Sequence, residues 1–475
     1  MKRNLWIAIC IFLAVSAAGL YTLVNVKGDK KQPPVIDAAQ QRLVNVKGDK
    51  EQPPVIDAAQ RQLWQSEVGY NYILEMDSKS VILYSYTKDS LLPFGQGHVE
   101  EDGDIYMNII YGNTKSLEGK DIRLGRFNNG RLTDNLGFVN RFKRIDHLPE
   151  VTFKGFSKDP VDNFEVFWKT FEENFSFFPI VKVDWKAVYK EYKPKVNAAT
   201  SDKELEQIFK EMLGKLNDGH TNLIIGEEFF STKTVEREEF YKANQESMQN
   251  NIETEYIKGA LKSKLDGSIL YGRTKSGDAY IKLIHFNVSD AQQIDEALSE
   301  MVTDLADCRN FIIDMRFNGG GDDFYGLKLA GLFTDERKLA YFKQVRTGGY
   351  REFSEPFPIY IEPGRQRLTA DNIVVLTGPL TASAAETGTM ALKELDRATV
   401  IGEKTFGVFS NMLLNLLPNK WLVTLSNELY TSTEGINYEQ LGLPPDEELL
   451  IKRADIDAHK DPVLIRAMEL LKAAP

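Results

Sequence analysis

Cysteine is nearly absent: Cys10 and Cys308 are the only two in 475 residues. That excludes a disulfide framework, and no Cys/His spacing suggests a metal site. Cys10 falls in an N-terminal apolar segment, which leaves Cys308 as a lone thiol. Histidine is scarce, with five. The net charge is −11 and no basic block stands out, so nucleic acid is not expected as a partner. The chain's glycine-rich loop is not followed by Gly-Lys-Ser/Thr, which excludes a Walker loop, and it does not match the dinucleotide fingerprint. What remains is 42% hydrophobic and 27% charged, the composition of a globular protein with a sizeable core. The length suggests about three folding units.

The N-terminus carries Lys2-Arg3, then an almost wholly apolar run from Leu5 to Val15, then Ser16-Ala17-Ala18. This predicts a secretory signal peptide over 1–18, cut after Ala18. The alternative is an uncleaved anchor, since Leu5 to Val24 contains no charge and ~20 residues suffice to span a bilayer. Either way the body is expected in the periplasm or outside the cell. Residues 23–42 and 43–62 are near-copies containing paired prolines. They read as a linker over 19–62, either a tether between membrane and body or, preferably, a recent duplication without function.

Runs such as Val81–Tyr86 and Ile105–Tyr111 alternate with Gly, Asn and Asp, so a β-rich domain is expected over 63–150. A helical subdomain follows over 158–225. Its stripe of Phe164, Phe167, Trp168, Phe171 and Phe175 has helical spacing and reads as core. Residues 226–275 form a polar insert. From Ala279 onward strands alternate with helices, giving an α/β domain over 276–455, and a C-terminal helix is expected over 456–475.

Four segments carry chemistry. In Ile373–Gly388 an apolar strand leads through Gly378-Pro379 to Thr-Ala-Ser383-Ala-Ala-Glu-Thr-Gly and a helix-like stretch. Ser383 sits at a strand-to-helix turn, where the Ala384 N–H favours an anion. Taken alone, an N-cap serine explains it better. Phe311–Asp322 is a strand ending in Asp314-Met-Arg316-Phe-Asn318-Gly-Gly-Gly321-Asp, whose glycines let backbone N–H groups approach a ligand. Leu216-Asn-Asp-Gly-His220-Thr closes an amphipathic helix with Leu205, Ile208, Phe209, Met212, Leu213 and Leu216 on one stripe and a Ser201…Glu204 capping box. His220 would serve as a general base. Tyr438-Glu439-Gln-Leu-Gly-Leu-Pro-Pro-Asp446 is a carboxylate before a turn, informative only in company.

Together with Val400-Ile-Gly-Glu-Lys-Thr-Phe-Gly407, these segments resemble the tail-specific, or C-terminal-processing, serine peptidase family, over roughly 160 to 455. Many members pair the serine with a lysine just after this Phe-Gly. Here that position is Val408, so the chain resembles the tricorn-like branch, whose base is a histidine. The resemblance implies Ser383 as nucleophile, His220 as base, Glu439 as its distant carboxylate, and the N–H groups of Gly321 and Ala384 as the oxyanion hole. It implies a crotonase-like ββα superhelix, a polypeptide substrate and no cofactor; it leaves a homo-oligomer open. One departure stands out. Tricorn protease has a serine before its histidine, linking it to the glutamate, whereas this chain has Gly219. The link is then a water, Thr221 or a direct contact, or there is none. Members often carry a PDZ module near 226–275, but no Gly-Leu-Gly-Phe-like loop occurs, so a typical PDZ is not expected. Two rivals stay open: a non-catalytic peptide-binding relative of the same fold, and an acyl-thioester enzyme, against which the signal peptide argues.

Overall fold

The computed structural model describes residues 56–67, 70–112, 122–133, 139–288 and 290–473. The expected signal peptide and most of the duplicated linker lie outside them. The expected β-rich domain comprises β1 (Gln62–Ser66), β2 (Tyr72–Met76), β3 (Ser80–Tyr86), β4 (Ser90–Val99), β5 (Asp104–Ile110), β6 (Ile122–Asn128), β7 (Arg131–Thr133) and β8 (Val139–Ile145). Each strand pairs with the next, and β1 also pairs with β8, Leu63 facing Ile145. The eight strands therefore close on themselves, which removes exposed sheet edges. Val81, Leu83, Phe94 and Ile105 are buried within. A short β9 (Phe153–Lys154) joins β4 in parallel and leads out of the barrel.

Four helices follow: α1 (Pro160–Asn174), α2 (Phe178–Val181), α3 (Trp185–Tyr192) and α4 (Asp202–Leu216). The aromatic stripe of α1 is core as its spacing predicts, with Phe164, Phe167, Phe171 and Phe175 fully buried and Trp168 half-buried. In α4 the six residues of the predicted stripe are the buried ones, and Ser201 and Glu204 form the capping box.

Two strands, β10 (Asn222–Ile225) and β11 (Glu228–Ser231), then precede α5 (Glu238–Glu255). The segment expected as a polar insert is tied firmly to the body. Tyr241, Met248 and Ile252 are buried, and Arg237 and Tyr241 both donate to the buried Glu403. The charge pattern hid this, because the buried face of α5 is itself partly polar, including Asn244 and Asn251.

The remaining strands are β12 (Lys262–Lys264), β13 (Ile269–Arg273), β14 (Ala279–Leu283), β15 (Asn310–Asp314), β16 (Lys338–Val345), β17 (Phe357–Ile361), β18 (Asn372–Thr377), β19 (Ala398–Gly402), β20 (Met412–Leu416), β21 (Leu422–Ser426), β22 (Glu428–Thr431) and β23 (Glu447–Glu448). Between them lie α6 (Ala291–Leu305), α7 (Asp323–Gly331) and α8 (Ala384–Lys393). The main sheet has the order β12-β13-β14-β15-β18-β19-β23, parallel from β14 onward. Its parallel strands are apolar runs such as Phe311-Ile312-Ile313 and Ile373-Val374-Val375, as burial on both faces demands. Two smaller sheets, β11-β10-β21-β20 and β17-β16-β22, flank it. The barrel docks on the first of these: the Tyr72 hydroxyl donates to the Leu414 carbonyl at 2.7 Å.

The C-terminal stretch expected as one helix forms two, α9 (Arg453–Asp457) and α10 (Pro462–Ala473). His459 at φ 55° breaks the run, and Asp461 caps the second helix by accepting from Leu464 N. Asp461 also accepts from Arg316 at 2.7 Å, and Arg316 forks onto Asp314 at 2.6 and 2.9 Å. Arg316 is fully buried. Among the described residues no helix is long and apolar enough to cross a membrane.

Candidate active site

Ser383 and the glycine loop leave the C-terminal ends of adjacent parallel strands, β18 and β15, where open α/β sheets place their ligand sites. Hydrogen bonds stitch the two loops together. Met315 N donates to Leu376 O, the Thr381 hydroxyl to Met315 O, and Ala382 N to Asn318 O. Gly320 completes the fit. Its φ is 98°, and a Cβ there would lie 2.8 Å from the Ser383 Cβ and 3.0 Å from Ala384 N.

Ser383 itself has φ 56° and ψ −125°, a conformation that costs a non-glycine residue about 1–3 kcal/mol. Its neighbours impose it. The buried Glu386 accepts from four donors: Ser383 N, the Thr405 hydroxyl, Gly407 N and Val408 N. One carboxylate thus fixes the serine turn to the 405–408 loop. Burial pushes its pKa up, against those hydrogen bonds and the charge of Lys233.

His220 arrives from the other side. Helix α4 ends at Asn217 in the left-handed region, and Asp218 then turns the chain by accepting from His220 N at 2.8 Å. The Thr424 hydroxyl holds the His220 carbonyl at 2.7 Å. The outcome is a His220 Nε2 to Ser383 Oγ distance of 3.1 Å. Burial lowers the His220 pKa; Asp218 and Asp323 oppose this, and Lys233 adds to it. The imidazole is therefore neutral at pH 7 and able to accept a proton.

Glu439 is buried but does not reach His220. It accepts from Phe409 N at 2.5 Å and lies 4.0 Å from Lys233 Nζ. Its pKa is raised well above the usual range by burial and by Asp218, while Lys233 pulls it down. Thr221 bonds Asp218 rather than His220, and His220 Nδ1 has no partner among the described residues. The reason for Gly219 lies in packing. A Cβ at 219 would fall 2.5 Å from Val408 Cγ1 and 3.2 Å from the Phe406 ring, so Val408 fills the space a serine would need. Gly219→Ser is expected to cost about 1–3 kcal/mol by overpacking, and adding Val408→Ala to recover most of it, read by thermal unfolding.

Lys233 has no place in the sequence motifs. Its side chain is buried, donates to the Gly407 carbonyl and faces Glu439. Asp218, Asp323 and Lys233 are the charges that act on His220. Removing the positive one with Lys233→Met is expected to raise the His220 pKa. The acid limb of kcat/KM then moves to higher pH.

A second charged group lies beside α8, the helix that follows Ser383. Asp323, at the start of α7, accepts from Thr387 on α8 and from Tyr430, and Lys343 lies 3.0 Å from it and 3.5 Å from Glu428. Burial works against the Asp323 charge, but Lys343 and these hydrogen bonds outweigh it and hold its pKa low.

Among the described residues the N–H groups of Gly321 and Ala384 have no acceptor. Gly321 bridges Phe286 through its neighbours, with Phe286 N donating to Gly320 O and Asp322 N to Phe286 O, which turns the Gly321 N–H to the opposite side. No other described residue accepts from Gly321 or Ala384. Among the described residues no group of His, Cys, Asp and Glu is placed to hold a metal.

Residues 278–449 match the model of peptidase family S41, and 156–214 match the tricorn protease C1 domain. A crystal structure from Parabacteroides merdae, described as a candidate peptidase, is 30% identical, with a TM-score of 0.58, over 67% of this chain and 98% of that one. The chain belongs to peptidase family S41. Among further S41-like relatives, carboxyl-terminal-processing proteases from Synechocystis and Picosynechococcus are each 30% identical, over 40% and 36% of this chain. The S41 chain spans about two fifths of the length of those curated relatives, 43% and 40% respectively.

Proposed function

We propose that this chain is a serine endopeptidase with a crotonase-like core, acting on polypeptides outside the cytoplasm. The observation that carries the reading is the 3.1 Å contact between His220 Nε2 and a Ser383 held at positive φ. Such a strained strand-to-helix turn presents a hydroxyl clear of the backbone. With the proton on Nδ1, Nε2 takes the Ser383 proton as Oγ attacks the peptide carbonyl. The Gly321 and Ala384 N–H groups receive the oxyanion, a donor of this kind contributing about 3 kcal/mol. The imidazolium then protonates the leaving amine, and water, activated by the same imidazole, hydrolyses the acyl-enzyme. Glu439 bears on His220 only through the 405–409 loop: it holds Phe409 N, and Val408 of the same loop packs against Gly219, next to His220.

The orphaned His220 Nδ1 favours a second reading, a relative that keeps the fold and binds peptide without turnover. Labelling with an active-serine phosphonate, followed by mass mapping, separates the two. An adduct on Ser383 supports the peptidase; an unlabelled, folded protein supports the binding module.

A further inference from the structure

The two candidate oxyanion donors come from different strands, Gly321 from the loop after β15 and Ala384 from the turn after β18. Bonds among Met315, Asn318, Thr381 and Ala382 join the two loops on their strand side. On the helix side Asp323 and Thr387 join them. Asp323 stands two residues after Gly321, in the first turn of α7, and Thr387 three residues after Ala384, in the first turn of α8. The Thr387 hydroxyl donates to Asp323 Oδ1 at 2.7 Å, and Ala384 O lies 3.1 Å from that hydroxyl. Thr387 N donates to Ser383 O at 3.2 Å. The helices meet closely enough to keep this bond short: a Cβ at Gly326 of α7 would fall 2.7 Å from Gly388 Cα of α8.

Asp323 is itself held from two further strands. Its Oδ2 accepts from Tyr430 of β22 at 3.0 Å and lies 3.0 Å from Lys343 Nζ of β16. Lys343 and Tyr430 also face Glu428, at 3.5 and 3.0 Å, and the Tyr341 ring lies beside that of Tyr430. With both carboxylate oxygens engaged, from α8, β22 and β16, Asp323 has one position, and a bond to a charged acceptor is stronger than a neutral one. Asp323 also acts on His220 by its charge, as do Asp218 and Lys233.

We infer that Asp323 is a positioning residue: through Thr387 it sets the separation of the Gly321 and Ala384 donors, and its charge favours the imidazolium that His220 becomes. The inference rests on the peptidase reading, so the unsubstituted enzyme is the reference. If that enzyme neither cleaves peptide nor takes a phosphonate on Ser383, the peptidase reading falls and this role falls with it. In an active enzyme Thr387→Val keeps every charge and cuts the tie. It is expected to lower kcat at least about tenfold with little change in KM, and to slow phosphonate labelling of Ser383 alike. Thr387→Ser keeps the hydroxyl and should restore most of both. Asp323→Asn keeps an acceptor for Thr387 and removes the charge. Without that charge His220 is harder to protonate, so the acid limb of kcat/KM should move to lower pH, opposite to Lys233→Met. The limb of Thr387→Val should stay in place. Thermal unfolding checks each variant, and the isosteric Asp323→Asn tests the charge even if Thr387→Val folds poorly. A merely structural tie would lower the unfolding temperature and leave the limb and the kcat of folded protein unmoved. Unchanged kcat in folded Thr387→Val, or an unmoved acid limb in folded Asp323→Asn, overturns the inference while leaving the peptidase reading intact.

Discussion

Replacing Ser383 by alanine is expected to abolish peptide cleavage in a protein that stays folded. The substitution removes one hydroxyl from a half-buried position, and the clamp by Glu386 acts on the Ser383 backbone, which alanine retains. His220→Ala should cost nearly as much kcat, because the two groups act as one unit. The double variant should be no worse than either single one. Ser410 supplies the control: its hydroxyl bonds Asn411 O and accepts from Glu428 N, and its loss should leave the chemistry intact. The pH profile gives an independent reading. Burial lowers the His220 pKa from its ordinary 6.5, so kcat/KM should fall only below that value. Stability should follow the same sign. Between the folded and unfolded pKa values the unfolded chain binds the extra proton, so stability rises with pH through that window and levels off above about 6.5. Full activity in Ser383→Ala sinks the nucleophile assignment. A His220→Ala protein that works while Lys404→Met does not would return the base to a lysine.

Gly321→Ala is expected to lower kcat by roughly 10²-fold or more with a smaller change in KM, since an oxyanion donor acts mainly in the transition state. Gly321 has φ 142°, and a Cβ there would lie 2.2 Å from the Phe286 carbonyl carbon. Even alanine must displace the bridge to Phe286 and swing the N–H away. The barrel and its dock on β20 are remote from that bridge, so a cooperative unfolding transition should persist. A folded Gly321→Ala enzyme with unaltered kcat would show the loop to be scaffolding only.

The local pieces were legible because their determinants are local. The helix before His220 is written in its stripe and capping box, and the serine turn in a strand, Gly-Pro and a run of small residues. The residues that tie these pieces together were not. Lys233 meets Gly407 across 174 residues, with no spacing to announce it. Glu386 lies within the quoted motif, yet nothing in that motif says that its carboxylate gathers donors from the 405–408 loop. Val408 could be read as a lost lysine, but its fit against Gly219 exists only in three dimensions. Alternation revealed strands in the N-terminal domain without showing that the first pairs with the eighth.

Arg316 gives the catalytic centre a sense of completion. The loop that bears Gly321 is braced at Arg316, and one of the two carboxylates bracing it, Asp461, comes later in the chain than Ser383, His220 and Gly321. Synthesis proceeds from the N-terminus, so Ser383, His220 and Gly321 are all made before this brace is. A nascent chain thus carries Ser383 and His220 while lacking the strut behind the Gly321 loop. Self-cleavage during biogenesis would be held back without a separate inhibitor. A chain ending at residue 458 is accordingly expected to bind peptide weakly and cleave it far more slowly than the whole; full turnover by that truncated chain would refute the idea.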